Sequence, residues 1–309
     1  MKRLFACTLA LCAALSHQLQ AQRSELRLEK GWRFTRQDQA SFSTPDYNDS
    51  KWSRVTVPHD WAIYGPFSFE NDKQHLAIAQ DGQKEAMEHA GRTGGLPFVG
   101  AGWYRRSLDI PQDLGDRRVF LRFDGAMSHA RVYVNGKEVG YWPYGYNTFA
   151  FDVTPYVRPG ASNTLAVRLE NKHESSRWYP GAGLYRNVHL TITSPTYIPL
   201  WGTRIQTPSV SADQAYVSVE TKVAGLSHLA GRPLRIETKI LSPEGKVVAE
   251  RSESFSSKGA ASIARASTSR LPSSGTSTSP TSISTPSRSP TTRESSTATP
   301  RPSVSAPSS

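Results

Sequence analysis

Apolar and polar positions alternate along four short segments before residue 196, and Val, Ile, Leu and Phe are frequent in them. The segments are residues 119–123, 130–134, 164–170 and 188–192. Period-two alternation places successive side chains on opposite faces of a strand, so each segment is predicted to be a half-buried strand. Asn135-Gly136 follows the second segment and predicts a hairpin with a two-residue turn. Short strands between turn signals indicate an all-β sandwich over residues 22–196.

The same alternation predicts which side chains lie in or near the core of this sandwich. They are Trp32, Phe34, Trp61, Phe120, Phe123, Val132 and Val134. A long insertion, about residues 67–100, interrupts the strands, and residues 83–89 are the only segment whose pattern suits a helical turn. Long loops in compact domains are often functional, which makes the insertion a candidate for binding.

A second β unit is predicted for residues 197–257, where residues 215–223 and 234–240 alternate and Pro243-Glu244-Gly245 predicts a turn. The composition then changes. Residues 258–309 contain 17 Ser, 9 Thr and 7 Pro but no aromatic residue. Because this composition cannot bury enough apolar surface to form a core, we predict a disordered tail for residues 258–309.

Residues 1–21 have the features of a secretory signal peptide. Lys2 and Arg3 precede an apolar run that is too short to span a bilayer. Cys7 and Cys12 both lie in that run, so the mature protein is expected to depend on its core and not on disulfides. We therefore expect export to the periplasm or the cell exterior, without a membrane span.

The net charge of +11 is unevenly distributed. Residues 258–309 contribute +5, and the first residues of the expected signal peptide contribute +2. The charge that is left is small for a domain of this size. A nucleic-acid partner is therefore not expected.

Residues 171–188 link two predicted strands and hold Arg, Trp, Tyr, Asn and Gly side by side. Aromatic rings stack on the apolar faces of sugars, while Asn and Arg supply planar hydrogen-bond donors, so the loop is a candidate carbohydrate site. The alternative is structural. In that case Trp178, Tyr179 and Pro180 only plug the end of the sandwich.

The loop resembles the Arg-Trp-Tyr-x-Gly-x-Gly-x-Tyr-Arg signature of the sugar-binding domain of glycoside hydrolase family 2, especially its β-galactosidase-like members. Other stretches resemble the same domain in the same order. They are residues 31–34, 57–61, 91–97, 102–106, 134–140, 144–149 and 152–154. The resemblance implies a jelly-roll β-sandwich, followed by a partial immunoglobulin-like β-sandwich that shows three or four strands where about seven are expected.

The resemblance also implies the site residues. Asn171 stands where relatives carry an Asp or Asn that touches sugar hydroxyls, and Arg177 and Trp178 are the next candidates. Gly94 and Gly95 belong to a loop that approaches the same place. The expected ligand is a β-galactoside-type carbohydrate.

Hydrolysis of a glycoside needs two carboxylates flanking the scissile bond. In this family both are glutamates of a (β/α)8 barrel that follows the immunoglobulin-like domain. A barrel needs roughly 250 residues, and nothing after Ser257 has its pattern. The chain is therefore predicted to have no catalytic residue, to be inactive alone and to dock on a barrel in the full-length relative.

The acidic residues present are interpreted as turn, cap or surface residues. They are Asp60, Glu70, Asp72, Asp124, Asp152 and Glu174. The histidines show no metal-ligand spacing, and the chain has no nucleophile elbow or phosphate loop. No metal or cofactor is expected.

Three functions follow as hypotheses. The first is the N-terminal fragment of an exported β-galactosidase-like hydrolase that acts in carbohydrate degradation. The second is a stand-alone carbohydrate-binding module, and the third is a structural sandwich with a stalk that serves adhesion. Related enzymes with these domains also cleave β-glucuronides and β-mannosides, so those fragments remain alternatives.

Two origins are open for residues 258–309, a natural stalk and the product of a frameshift. A shifted frame starting at Ser273-Ser274 permits Leu-Trp-Asp-x-Asp-x-Pro-Tyr-Leu-Tyr. This resembles the motif that ends the immunoglobulin-like domain in the family. The nucleotide sequence around codon 258 decides between the two origins.

Overall fold

The computed structural model describes residues 23–90, 97–174, 178–211, 214–229, 231–256, 263–271 and 279–280. Its described residues fall into two compact units, residues 23–195 and a unit that begins at Thr196. Both are built from β-strands, as the alternation predicts. Each unit is described by itself below.

The first unit contains twelve strands and four short 3-10 helices in its described residues. The strands are β1 (Arg23–Arg27), β2 (Trp32–Thr35), β3 (Ser53–Val55), β4 (Lys73–Leu76), β5 (Met87–Ala90), β6 (Gly100–Asp109), β7 (Arg118–Phe123), β8 (Ala130–Val134), β9 (Lys137–Trp142), β10 (Phe149–Asp152), β11 (Ser162–Asn171) and β12 (Val188–Thr193). The 3-10 helices are Ala40–Ser43, Ala62–Tyr64, Ala79–Asp81 and Thr154–Tyr156.

Two antiparallel sheets form the sandwich of this unit. One has the order β1-β12-β7-β10 and the other the order β3-β2-β6-β11-β8-β9. Strands β6 and β11 pair along their whole lengths, from Asp109 opposite Ser162 to Gly100 opposite Asn171. Several neighbouring strands, such as β1 with β12 and β6 with β11, come from distant parts of the chain, as they do in a jelly roll.

The Asn135-Gly136 turn is confirmed. Both residues have positive φ, 51° and 81°, and Val134 is paired with Lys137. This is the backbone of a type I′ turn, whose twist matches the strands on either side. It positions β9 at the edge of the larger sheet.

The core of the sandwich lies between the two sheets. Trp32, Trp61, Phe123, Val132 and Val134 are all buried, with at most 2% of their surface exposed. Phe34 is also buried and stacks on Trp61 with ring centroids 5.4 Å apart. These predicted core positions are confirmed.

One prediction about this unit is wrong, and the prediction for Phe120 holds only in part. Phe120 is only partly buried, because Val119, Leu121 and Phe123 are the β7 residues that face the core and Phe120 lies on the opposite face. The helical turn predicted for residues 83–89 is absent; its end forms β5 instead. Strand β5 pairs with β4, with Met87 opposite Leu76, and this pairing satisfies backbone groups that a single helical turn leaves open.

The second unit contains six strands and one 3-10 helix in its described residues. The strands are β13 (Thr203–Val210), β14 (Ala215–Lys222), β15 (Pro233–Leu241), β16 (Val247–Ser256), β17 (Ile263–Leu271) and β18 (Ser279–Pro280), and the 3-10 helix is Leu226–Leu229. They form two three-stranded sheets, β13-β14-β17 and β16-β15-β18. Val217 and Val219 of β14 pack with Ile240 of β15, so a small core joins the two sheets.

Strand β17 lies in the segment where the composition predicts no ordered structure. It pairs with β14, with Leu271 opposite Ala215 and Ile263 opposite Lys222. Backbone hydrogen bonds to the edge of β14 need no particular side chain, which is why composition does not predict this pairing. Apart from β17 and β18, residues 257–309 lie outside the described residues.

Candidate functional site

The candidate loop follows β11, whose last residue is Asn171. The Asn171 side chain is 3% exposed, and its Nδ2 donates a hydrogen bond to the carbonyl oxygen of Gly181 at 3.1 Å. This hydrogen bond therefore holds the part of the loop around Gly181 against the end of β11. In this conformation one of its two N–H groups is used within the protein.

Asp60 is the second anchor of the loop. Its Oδ1 accepts hydrogen bonds from the backbone N–H groups of Ala62 at 3.0 Å and Ala182 at 3.1 Å. Its Oδ2 accepts one from the Tyr179 hydroxyl at 2.8 Å. One carboxylate thus joins the Val57–Trp61 region to a loop more than a hundred residues away in sequence.

The Tyr179 hydroxyl stays protonated in this arrangement. Burial raises the pKa of Tyr179, and its hydrogen bond to the Asp60 carboxylate and the negative charge of Asp60 raise the pKa further. A protonated phenol remains a donor to Asp60 across the pH range in which proteins are stable. The pair is therefore suited to holding the loop and not to acid–base chemistry.

A glycine is required where this loop crosses the core. Gly183 has φ of +89°, and a Cβ there would lie 2.7 Å from the carbonyl oxygen of His59 and in collision with the Tyr104 hydroxyl. The second glycine of the sequence signature thus permits the close approach of the loop to the buried aromatic side chains.

Trp178 is exposed at the surface of the loop. It is 58% exposed, and its Nε1 donates a hydrogen bond to the Tyr146 hydroxyl at 2.7 Å. Tyr144 lies against Tyr146 with ring centroids 5.6 Å apart, and the Tyr185 hydroxyl donates to the carbonyl of Gly145 at 2.9 Å. We call Tyr144, Tyr146, Trp178 and Tyr185 the aromatic surface.

The alternative in which Trp178 plugs the end of the sandwich is not what the structure shows. An indole that is fixed at its N–H and more than half exposed presents part of a flat apolar surface to solvent. Arg186 borders this surface, because its Nη1 donates to the carbonyl of Tyr146 at 3.2 Å and its guanidinium lies 5.3 Å from the centre of the Tyr185 ring. Flat aromatic rings beside a fixed cation are suited to binding the face and hydroxyls of a sugar.

The site residues predicted from the sequence differ in burial, and some of them lie outside the described residues. Asn171 ends β11 and is buried, whereas Trp178 lies in the loop that follows β11 and is exposed. Arg177, Gly94 and Gly95 lie outside the described residues. Sequence reasoning missed Tyr146, for which the Tyr144–Phe149 stretch was a signal, and it interpreted Asp60 as a turn or surface residue.

Two of the other acidic residues named from the sequence make structural contacts. Asp152 accepts a hydrogen bond from the backbone N–H of Thr154 at 3.0 Å, and Glu70 forms an ion pair with Lys73. Among the residues that the structure describes, no three His, Cys, Asp or Glu side chains are grouped so that they could hold a metal ion. No helix in the described ranges is long and apolar enough to cross a membrane.

Comparisons with known proteins point to one family. The model of the sugar-binding domain of glycosyl hydrolases family 2 matches residues 26–195. The chain is 33% identical over 243 residues to the β-galactosidase BoGH2A of Bacteroides ovatus, which covers 78% of this chain and 26% of the relative. It is 31% identical over 261 residues to a β-glucuronidase of Bacteroides fragilis, which covers 80% of this chain and 32% of the relative.

Comparison with a solved structure of the same family supports the fold. The chain is similar to a glycosyl hydrolase family 2 member from Bacteroides cellulosilyticus with a TM-score of 0.67 and 30% sequence identity. The match covers 80% of this chain and 30% of that chain. The chain therefore spans about a quarter to a third of the length of the proteins it matches.

Proposed function

This chain belongs to glycosyl hydrolase family 2, and we propose that it is the N-terminal, non-catalytic part of an exported β-galactosidase-like enzyme of carbohydrate degradation. In this proposal the jelly roll holds the non-reducing sugar at its loop end. A catalytic barrel, supplied by the remainder of the enzyme, cleaves the glycosidic bond.

The observation that carries the proposal is the aromatic surface. Trp178 is exposed yet fixed by its hydrogen bond to Tyr146, and Asp60 and Asn171 hold the loop beneath it. A rigid exposed indole loses little conformational entropy when a sugar ring stacks on it, which is the property a carbohydrate subsite needs.

The substrate we propose is a β-galactoside. The family signature of residues 177–186 and the insertion before β6 resemble β-galactosidase-like members, and BoGH2A carries that name. A β-glucuronide is the second candidate, because the relative from Bacteroides fragilis is named a β-glucuronidase. A stand-alone carbohydrate-binding module remains the alternative to an enzyme fragment.

We expect the 309-residue chain to hydrolyse neither substrate. Asp60, the carboxylate that contacts the candidate loop, is engaged in structural hydrogen bonds with Tyr179 and Ala182. The measurement is the release of nitrophenol from the β-galactoside and the β-glucuronide. A rate above that of the heat-denatured chain overturns the non-catalytic assignment.

Binding of the free chain to sugar is expected to be weak. A small open surface yields roughly 4 kcal/mol of binding free energy, which corresponds to a millimolar Kd. Trp178→Ala should abolish the binding of a galactose-terminated oligosaccharide in NMR titrations. Trp201→Ala is the matched control, because Trp201 is also exposed, at 70%, but lies in the second unit.

The titration separates the candidate substrates. Preference for the galactose-terminated ligand over the glucuronate-terminated one supports a β-galactosidase, and the reverse preference supports a β-glucuronidase. Equal loss of binding in the Trp178 and Trp201 variants would remove the aromatic surface from the proposal.

A further inference from the structure

A second concave surface lies on the jelly-roll unit, beside the edge strand β3. It is a cleft of about 710 Å³, within the ~300–1,000 Å³ range of small-molecule sites. Its lining residues are Lys30, Gly31, Trp32, Arg33, Arg54, Val55, Thr56, Pro58, His59 and Tyr64. Three of them are cations, and among these described lining residues there is no carboxylate. We call this the basic cleft.

Two of the three cations are available to a ligand. Arg33 forms an ion pair with Asp49 at 3.2 Å and donates to the carbonyl of Ser50. Lys30 and Arg54 are exposed and have no ion-pair partner among the described residues. Because Arg33 is directly opposite Arg54 across strands β2 and β3, two like charges face one another at the cleft, an arrangement that a bound anion stabilises.

Asp49 does not neutralise this cluster. Its Oδ2 accepts a hydrogen bond from Nε of the buried Arg105 at 3.0 Å, so one carboxylate is shared by Arg33 and Arg105. The site therefore keeps a net positive charge even after its internal ion pairs are formed.

Arg106 adds a further cation next to the cleft. Its guanidinium lies 5.4 Å from the centre of the Trp32 ring, and Nη1 is buried without a hydrogen-bond partner in the described part of the chain. Burial lowers the pKa of Arg106, and the negative charge of Asp109 only partly opposes this. A guanidinium that forms no ion pair among the described residues adds positive charge next to the cleft and favours an anionic occupant.

The cleft also presents an aromatic ring. Tyr64 is 73% exposed and stacks on His59 with ring centroids 5.9 Å apart and planes 18° apart. His59 is fixed in turn, since its Nδ1 is 2.7 Å from the Tyr104 hydroxyl. A supported aromatic face beside unpaired cations matches a ligand that has both an apolar ring face and a negative charge.

We propose that the basic cleft binds an acidic saccharide unit, a sugar ring that bears a carboxylate or a sulfate ester. Tyr64 stacks on the ring, and Lys30 and Arg54 bind the charged group. The inference rests on the proposed function only in taking the ligand to be a sugar. It adds an anchoring site that is separate from the aromatic surface around Trp178.

The test measures affinity of the full chain for three oligosaccharides by isothermal titration calorimetry: an oligogalacturonate, a sulfated galactan oligomer and a neutral galacto-oligosaccharide. The double variant K30Q/R54Q should lose about tenfold or more in affinity for the acidic ligand that binds the natural chain. The control K84Q/K137Q removes two exposed cations elsewhere on this unit and should change that affinity less than twofold, by about the screening expected of distant charges. Tyr64→Ala should weaken the same ligand in both low and high salt, because stacking is not screened.

The ligands that bind distinguish the possible kinds of site. Binding of the oligogalacturonate alone identifies a uronate site, and binding of the sulfated oligomer alone identifies a sulfate site. Equal losses in K30Q/R54Q and K84Q/K137Q, no acidic binding, or equal binding of single-stranded DNA overturn the proposal. Trp178→Ala separates it from the proposed function, because that variant should lose the neutral ligand and keep the acidic one.

Discussion

The two units of this chain are both antiparallel β-sheets, yet they are held together differently. In the jelly roll a large buried cluster runs through both sheets from Leu28 to Ile192, and a smaller one forms around Phe42 and Trp103. In the second unit the described residues form two separate small clusters, one around Ile236 and one around Ile240. Stability from apolar burial scales with the area removed from water, so the same strand pattern stabilises the first unit far more.

The two units also differ in how well their buried polar groups are hydrogen-bonded. In the jelly roll Asn163 accepts a hydrogen bond from the backbone N–H of Arg158 at 2.7 Å and donates to its carbonyl at 2.9 Å. The jelly roll also has buried atoms without a partner among the described residues, Arg106 Nη1 and Arg118 Nε, but each belongs to a guanidinium that makes another hydrogen bond. In the second unit the hydroxyls of Thr221 and Thr238 are buried without a partner among the described residues. A buried hydroxyl without a partner costs about 1–3 kcal/mol. We therefore expect the jelly roll to unfold at a higher denaturant concentration than the second unit.

The largest expected effect is in the jelly-roll core. Phe123 is fully buried and stacks on Phe149 at 4.9 Å, so Phe123→Ala should lower the free energy of unfolding of this unit by about 3–5 kcal/mol. Urea unfolding followed by tryptophan fluorescence measures it, since six of the seven Trp residues lie in this unit. Phe69→Ala, at a position 68% exposed, is the control and should change the midpoint little. Similar midpoints for both variants would contradict a well-packed core around Phe123.

A smaller effect is expected for the matching change in the second unit. Ile236 is 1% exposed but belongs to a small cluster with Val223 and Leu234, so Ile236→Ala should cost about 2 kcal/mol, the low end for such a truncation. Limited proteolysis with mass spectrometry should show faster cleavage after residue 196 and no change within the jelly roll. Val247→Ala, at a position 51% exposed, should leave both unchanged. Faster cleavage within residues 23–195 would show that the units are not independent in stability.

The alternation in the sequence was sufficient for the sandwich and for most of its core. Trp32, Phe123 and Val134 are buried, because each lies on the face of its strand that the alternation assigns to the core. It did not assign Phe120, because a run such as Val119–Phe123 has apolar residues on both faces and alternation alone cannot decide which face is inside. The positive φ values of Asn135 and Gly136 followed directly from the residue types.

The candidate loop could be located from the sequence, but its anchoring could not. The loop signature marks residues 177–186, whereas the bond between Asp60 and Tyr179 joins positions 119 residues apart in sequence. Whether Asn171 is buried depends on where Gly181 folds back over it. Such contacts are set by tertiary packing, which a local pattern does not contain.

Removal of the loop anchor has an intermediate expected effect. Asp60→Ala leaves the N–H of Ala182 and the hydroxyl of Tyr179 without their acceptor, which should cost about 1–2 kcal/mol in the free energy of unfolding. It should also weaken sugar binding, because the loop beneath Trp178 loosens. Asp113→Ala is the control, as its ion pair with Arg117 is at the surface and should contribute close to zero. Unchanged stability and binding in Asp60→Ala would show that Asn171 alone holds the loop.

The smallest expected effect is the pH dependence of the pairing between β1 and β12. The pKa of Glu25 is lowered from its ordinary value of 4.5 to about 2, first by its hydrogen bond to His189 and then by the positive charges of Arg122, His189 and Arg23, against the effect of burial. Because the folded-state pKa lies below the unfolded one, this stabilisation is present above pH 4.5 and is lost as the pH falls toward 2. Glu25 retains 30% exposure of its side chain, so solvent screening reduces the contribution to about 1 kcal/mol.

The measurement compares the natural chain with Glu25→Gln by urea unfolding between pH 6 and pH 3. The difference in free energy of unfolding should shrink as the pH falls, because protonation of Glu25 makes the two side chains equivalent in charge. It should also shrink at pH 6 when salt is raised. Glu29→Gln removes a carboxylate from a more exposed pair with Arg27, 45% exposed at the glutamate, and should give a smaller difference throughout. If the natural chain instead gains stability relative to Glu25→Gln as the pH falls, Glu25 destabilises the fold, since only an elevated folded-state pKa gives this direction of change.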